Sequence, residues 1–259
     1  MIDSGLLYQL QIFLLILMRI FGMMALAPFF SSMVVPFRMR ATLAFFVTVV
    51  MFTLALRAQI RPELSLVPYI MQLAGELLIG LAIGFIVATY FAAFAFAAEL
   101  FSVQMGLSIT MVFDPQAQIE VPVIGQLLSM FAVLIFVGIG AHHHLLSAIW
   151  SSYASLPVLE LTREAGPFAQ GAASAFTAMF GAALKIALPM IAVSFLLSLS
   201  MGILAKTAPQ LNILMMGFPI QILVGLSVLL ASLPFIFRFM GEVISQSIQF
   251  ALRVTGAAA

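Results

Sequence analysis

The chain has 259 residues and a formal net charge of +1; 64% of its residues are hydrophobic and only 7% are charged. Because about a quarter of the residues in a soluble domain are charged, this composition indicates an integral membrane protein with little mass outside the bilayer. The sequence contains no cysteine, which excludes disulfides, iron–sulfur clusters and thiol catalysis. It also has no basic run, so it gives no sign of nucleic-acid binding.

Six long apolar runs predict an all-α membrane protein. In chain order they span residues 5–30, 41–56, 64–98, 123–141, 168–204 and 213–237. A crossing of the bilayer needs about 20 residues, and several of these runs are clearly shorter or longer. Helical hairpins packed in a larger assembly therefore fit better than a simple series of spans. A short run at 145–156 is predicted as the return arm of a hairpin, and 238–253 as an amphipathic C-terminal helix.

Four charged side chains lie in or directly beside these runs: Arg19, Glu76, Glu99 and Lys185. A charge at bilayer depth costs about 3 kcal/mol or more unless it is paired or meets water. We therefore predict that these groups are buried at subunit contacts or in a pore, and the sequence leaves their pairing open. Near Glu76, the four-residue spacing of Gly80 and Gly84 predicts a close contact between helices.

The stretch of residues 98–122 interrupts the apolar pattern with alternating apolar and hydrogen-bonding side chains. Asp114-Pro115 should end a helix there, because proline lacks a backbone N–H and biases the preceding residue away from helical geometry. At membrane depth, such backbone is tolerated only inside protein or along a cavity. Two interpretations remain open: a long polar loop between helices, or a re-entrant segment that plugs an aqueous path.

The three histidines of the chain are adjacent, at positions 142–144. Neighbouring side chains on a helix point about 100° apart, so His142, His143 and His144 are poorly arranged to bind one ion. We expect an interfacial or hydrogen-bonded turn there, and a membrane interface around Trp150 and Tyr153. The sequence contains no nucleotide-binding, metalloprotease or serine-hydrolase motif. No cofactor, metal site or enzymatic activity is predicted.

A series of short motifs runs in order along nearly the whole chain. They are Arg19 followed by Ala27-Pro28 and Pro36, Glu76-Leu77-Leu78-Ile79-Gly80, Gln104-Met105-Gly106 leading to Asp114-Pro115, Gly140-Ala141-His142-His143, Lys185-Ile186-Ala187-Leu188-Pro189, and Ala208-Pro209-Gln210-Leu211-Asn212 with Gly217-Phe218-Pro219. In this order the chain resembles the flagellar biosynthetic protein FliR family. Its members are the R-type subunit of the flagellar type III export gate, and the T-type subunit is their counterpart in injectisomes.

The resemblance implies long helical hairpins packed in a spiral hetero-oligomer, with a central loop that plugs the pore. Residues 1–122 would form P-type-like hairpins ending in the plug loop. Residues 123–253 would form the remaining hairpins, including a Q-type-like C-terminal part, and 254–259 a frayed tail. By position in the motifs, two sets of residues are implicated. The plug would contain Met105, Gly106, Ile109, Met111, Phe113, Asp114 and Pro115, and an assembly turn would contain Pro209, Gln210 and Asn212.

The function implied by the resemblance is that of a core subunit of a protein-export pore. A single copy would join several P-type and Q-type subunits, pass unfolded flagellar proteins and keep the pore closed with its plug. The B-type switch subunit would lie near a cytoplasmic C-terminus, which agrees with the distribution of Lys and Arg. The expected location is the bacterial inner membrane within the flagellar basal body, with the assembly projecting toward the periplasm.

Two other functions are compatible with the residues themselves. In a secondary transporter or ion channel of the inner membrane, the four charged side chains would form a relay at membrane depth. In an intramembrane enzyme, the adjacent histidines would hold a metal, but the sequence offers no second set of His or Cys ligands.

Overall fold

The computed structural model describes residues 4–31, 36–55, 62–63, 65–107, 123–155, 165–208, 210 and 213–254. Within these residues every regular element is a helix. In chain order the helices are α1 (Ser4–Leu26), α2 (Phe37–Ala55), α3 (Leu66–Gln104), α4 (Val123–Gly138), α5 (Ala141–Ser155), α6 (Ala165–Thr207) and α7 (Ile213–Val254). The predicted all-α class is confirmed.

Three helices are much longer than a membrane span. α3 has 39 residues, α6 has 43 and α7 has 42. At a rise of 1.5 Å per residue, a helix of this length extends about 60 Å, twice the hydrocarbon thickness of a bilayer. The prediction of a separate C-terminal amphipathic helix is wrong, because α7 continues through Pro219 and Pro234. Each proline removes one backbone hydrogen bond, and the many remaining bonds carry the helix past it.

Several helices are suited to the membrane by length and composition. Four helical segments are long and apolar enough to cross a membrane: Gly5–Leu26, Leu66–Gln104, Gln170–Thr207 and Met216–Val254. A fifth candidate is the pair α4 and α5, which is bent by 67° at a short break. Gly140 lies in this break with a φ of +69°, in the left-handed region that glycine adopts at little cost. The chain is therefore an all-α integral membrane protein, as predicted.

The chain divides into two compact units, each made of segments that are distant in sequence. The first contains Met1–Tyr90, Phe136–Phe176 and Ile244–Ala259, and the second contains Phe91–Ile135 and Thr177–Val243. Helices α3, α4, α6 and α7 contribute residues to both. The division into residues 1–122 and 123–253 was predicted from the resemblance of each half to P-type or Q-type subunits. It stays a prediction. Of the predicted tail, only Val254 is described, as the last residue of α7.

In the first unit, α1 and α3 lie in direct backbone contact. A Cβ atom added to Gly22 would lie 2.5 Å from the carbonyl oxygen of Leu77, and one added to Gly84 would lie 2.6 Å from that of Met23. A Cβ on Gly80 would collide with the carbonyl group of Arg19. The close contact predicted from Gly80 and Gly84 is thus confirmed. It brings the backbone of α1 near Arg19 against the turn of α3 that follows Glu76.

Candidate functional site

The first candidate site is an ion pair buried in the first unit. Arg19 on α1 is 1% exposed and Glu76 on α3 is 3% exposed. The Nε–H group of Arg19 donates a hydrogen bond to Oε2 of Glu76. It is the only ion pair within the part of the chain that the structure describes. Two of the four predicted membrane charges therefore satisfy each other inside this chain.

A third helix completes the surroundings of the guanidinium group. Nη1 of Arg19 donates a hydrogen bond of 2.7 Å to the hydroxyl oxygen of Ser152 on α5. The Ser152 hydroxyl in turn donates to the carbonyl oxygen of Ile149 at 2.6 Å. The ring of Tyr153 lies against the guanidinium carbon, 3.9 Å from its centroid, which is a cation–π contact. One arginine thus fixes the register of α1, α3 and α5.

The other two predicted charges lie elsewhere. Glu99 on α3 and Lys185 on α6 are both exposed on this chain. The Nζ atom of Lys185 lies 5.7 Å from the ring centroid of Phe239, and no carboxylate of the described residues pairs with it. The described part of this chain therefore leaves Glu99 and Lys185 on its surface. Their burial by neighbouring subunits or in a pore stays a prediction.

The histidines lie in the first turn of α5. The rings of His142 and His143 are in contact, with centroids 4.0 Å apart, and His144 is exposed. Nδ1 of His142 is buried and makes no hydrogen bond to the described residues. Tyr153, which the sequence places at a membrane interface, instead contacts Arg19 in the interior of the unit.

The second candidate site, in the second unit, is the C-terminal end of α3. The helical hydrogen bonds continue to Met105, whose N–H donates to the carbonyl oxygen of Phe101 at 2.9 Å. Gly106 then adopts a φ of +74°, and its N–H donates to the carbonyl oxygen of Val103 at 3.0 Å. A left-handed glycine directly after the last turn is a common way to end a helix. Gly106 is thus the residue where the chain leaves α3.

Two side chains from other helices bond to Gln104, the last residue of α3. The Ser194 hydroxyl on α6 lies 2.9 Å from Oε1 of Gln104 and 3.0 Å from the carbonyl oxygen of Ile191, so it donates its single hydrogen between them. Nε2 of Gln221 on α7 donates to the backbone carbonyl oxygen of Gln104. This oxygen is one of the four that the end of a helix leaves without a partner in the helix.

Met105 is held by an apolar contact next to these hydrogen bonds. Its side chain is completely buried and lies directly on the backbone of Gly225 in α7. A Cβ on Gly225 would collide with Cγ of Met105 and would lie 2.9 Å from Cε of Met190. Glycine in a helix interior is about 1 kcal/mol less favourable than alanine. Here the missing methyl group provides the space that Met105 occupies.

The predicted plug and turn residues are only partly within the described chain. Met105 and Gly106 are described, and they belong to the anchored end of α3. Met105 is completely buried at the end of α3 in this chain, and its predicted place in the plug stays a prediction. Ile109, Met111, Phe113, Asp114 and Pro115 lie outside the described residues. Of the predicted assembly turn, Gln210 is described and exposed, whereas Pro209 and Asn212 lie outside.

Sequence reasoning missed several residues of the two sites. They are Ser152, Ser194, Gln221 and Gly225. Ser194, Gln221 and Gly225 lie in long apolar helices, and Ser152 lies in the 15-residue α5 next to another serine. Residues of these types usually bond to their own backbone or pack against a neighbouring helix, so their type alone does not identify a partner.

The amino-acid sequence of this chain matches a family of known proteins. The family described as bacterial export proteins, family 1, matches residues 10–247. The match covers nearly the whole of this all-α membrane protein. The chain is therefore a member of bacterial export proteins, family 1.

Several similar proteins are named as flagellar biosynthetic proteins. The flagellar biosynthetic protein FliR of Bacillus subtilis (strain 168) is 35% identical over 240 residues, covering 92% of each chain. FliR of Escherichia coli (strain K12) is 33% identical over 233 residues, covering 89% of this chain and 87% of the relative. FliR of Aquifex aeolicus (strain VF5) is 27% identical over 224 residues, covering 84% and 83%. The resemblance inferred from the short motifs is thus confirmed.

Proposed function

We propose that this chain is a core subunit of the flagellar type III protein-export gate. One copy assembles with several P-type and Q-type subunits in a spiral and lines a pore for unfolded flagellar proteins. The proposal is carried by the similarity to flagellar biosynthetic proteins, which extends over nearly the whole of both chains. In this role the chain binds and guides its substrates and catalyses no reaction.

The plug of this pore is assigned to residues 105–120, which begin at the anchored end of α3. The apolar side chains of Ile109, Met111 and Phe113 provide a seal that excludes ions and yields to a passing polypeptide. Methionine is well suited to this because its side chain is flexible and adapts to changing surfaces. Asp114-Pro115 prevents a helix from continuing through the segment.

The exposed charges support an assembly with other membrane subunits. Lys185 lies on the exposed face of an apolar helix that passes as a membrane span. In contact with lipid, this ammonium group would cost about 3 kcal/mol, whereas a carboxylate on a neighbouring subunit would satisfy it. Glu99 is in the same situation on α3. The predicted turn around Pro209, Gln210 and Asn212 is assigned to the same assembly.

The length of the helices is compatible with the proposed location. The assembly lies at the bacterial inner membrane, within the flagellar basal body, and helices of about 60 Å extend well beyond one bilayer toward the periplasm. The B-type switch subunit is assigned to the cytoplasmic side, near the C-terminus of this chain.

Substitution of Lys185 tests the assembly directly. We expect Lys185→Ala to lower co-purification with the P-type and Q-type subunits about fivefold or more, because an interfacial carboxylate loses its partner. Lys185→Arg is the matched control, since it keeps a positive charge at the same position and should leave recovery close to that of the unaltered chain. Co-purification is measured from detergent-solubilised membranes that contain all the subunits. Equal recovery of both variants would contradict the assigned contact, and failure of the unaltered chain to co-purify would contradict the proposed function.

A further inference from the structure

The end of α3 is fixed to two other helices at one point. Gln104 bonds to Ser194 on α6 and to Gln221 on α7, and Met105 fills the notch at Gly225. We infer that these five residues form a latch that determines how tightly the closed gate excludes ions. We call them the α3 latch. This inference rests on the proposed function, because it concerns the helix end from which the plug segment departs.

The polar half of the latch selects one position of the helix end. Ser194 is 3% exposed and Gln104 is half-buried, so the hydrogen bond between them is partly shielded from water. There, a hydrogen bond is directional, and an amide left without its partner is unfavourable. Because the donors come from two different helices, a displaced α3 end loses both bonds together. The two hydrogen bonds therefore stabilise the closed position of the α3 end over nearby positions, which apolar packing alone would not disfavour.

The apolar half of the latch permits reversible release. Met105 is held by shape, in a space that exists because Gly225 has no side chain. A methionine side chain has several rotatable bonds and withdraws from such a notch more easily than a branched or aromatic one. Gly106 follows directly in the left-handed conformation, with Phe218 3.4 Å from the position of its missing Cβ. The chain thus leaves the latch at the residue best able to change its backbone direction.

Each half of the latch is tested by one substitution with a matched control. Ser194→Ala removes the donor to Gln104, and Ser200→Ala removes an exposed serine of the same helix that bonds only to its own backbone. Gly225→Ala places a methyl group where Met105 lies. Its control is Gly181→Ala, because a Cβ at Gly181 meets no atom within 4 Å. All four variants are expressed with the complete export apparatus, and membrane ion leak and flagellar protein secretion are measured per assembled complex.

We expect Ser194→Ala and Gly225→Ala each to raise ion leak about tenfold above their controls. The reason is that each substitution removes one contact that stabilises the closed state. Secretion should persist, because the pore itself is intact. A second variant lacks residues 108–118. If this deletion makes the membrane leaky but the two substitutions leak no more than their controls, the plug seals the pore without the α3 latch, and the latch is overturned. Tight membranes after that removal would instead overturn the proposed plug. Normalising to assembled complexes separates both results from a failure to fold.

Discussion

Replacement of Arg19 by methionine is expected to destabilise the protein by about 3–5 kcal/mol, because Glu76 is then left as an unpaired charge in a buried site. Glu76→Leu should have a similar cost, since it leaves the guanidinium group of Arg19 buried without a carboxylate. The double variant should be considerably more stable than the sum of the two losses, because an apolar pair of similar volume replaces the ion pair.

The free energy of unfolding in detergent measures this coupling. Arg38→Met is the matched control, because Arg38 is an exposed arginine at the start of α2, and its replacement should change stability little. If the two single variants are as stable as the unaltered protein, the pair does not hold α1 and α3 together. If the double variant loses as much as the sum of the single losses, the two charges act independently.

Serine in place of Ile109, Met111 and Phe113 is expected to make the membrane permeable to ions while secretion continues. The three apolar side chains are assigned to the seal, and a loss of only about 1.4 kcal/mol from the closed state multiplies the open fraction about tenfold. We therefore expect a rise in ion leak of at least about tenfold in cells that contain the assembled apparatus. Proton or potassium flux across the membrane is the measurement.

A polar exchange in the same segment is the control for this prediction. Gln116→Ser together with Gln118→Ser alters residues of the segment without removing an apolar side chain, and leak should stay near the level of the unaltered protein. If both sets of variants keep the membrane tight while the complex is assembled, the segment does not seal the pore.

For the ion pair, the sequence predicted that each charge needs a partner but did not identify that partner. Charges in apolar runs are unfavourable, so a need for partners was predictable for Arg19 and Glu76. Their mutual pairing was not, because they are 57 residues apart and meet only after α1 and α3 are packed. Gly80 and Gly84 did predict that packing, because the closeness of two helices depends on local spacing of small residues. The position of Ser152 on a third helix had no local signal.

The end of α3 shows the same limit. The sequence predicted a helix end at Asp114-Pro115, whereas α3 ends at Gln104 and the left-handed Gly106 follows two residues later. The direction of Met105 was not predictable, since its notch is made by a glycine that is distant in sequence. The continuity of α7 through Pro219 and Pro234 was also missed, because the penalty of a proline is local whereas the gain from a long helix is spread over many residues.

A cysteine crosslink to an exported protein tests whether the central segment lies in the export path. The chain contains no cysteine, so a single thiol at Met111→Cys or Phe113→Cys is unambiguous. A second thiol is placed in an exported protein that stalls during secretion, and Ser200→Cys, on an exposed face of α6, is the control. We expect a disulfide with position 111 or 113 only when the substrate is stalled, and none with position 200. A stalled complex that is intact and forms no disulfide at either central position would mean that the central segment lies outside the export path.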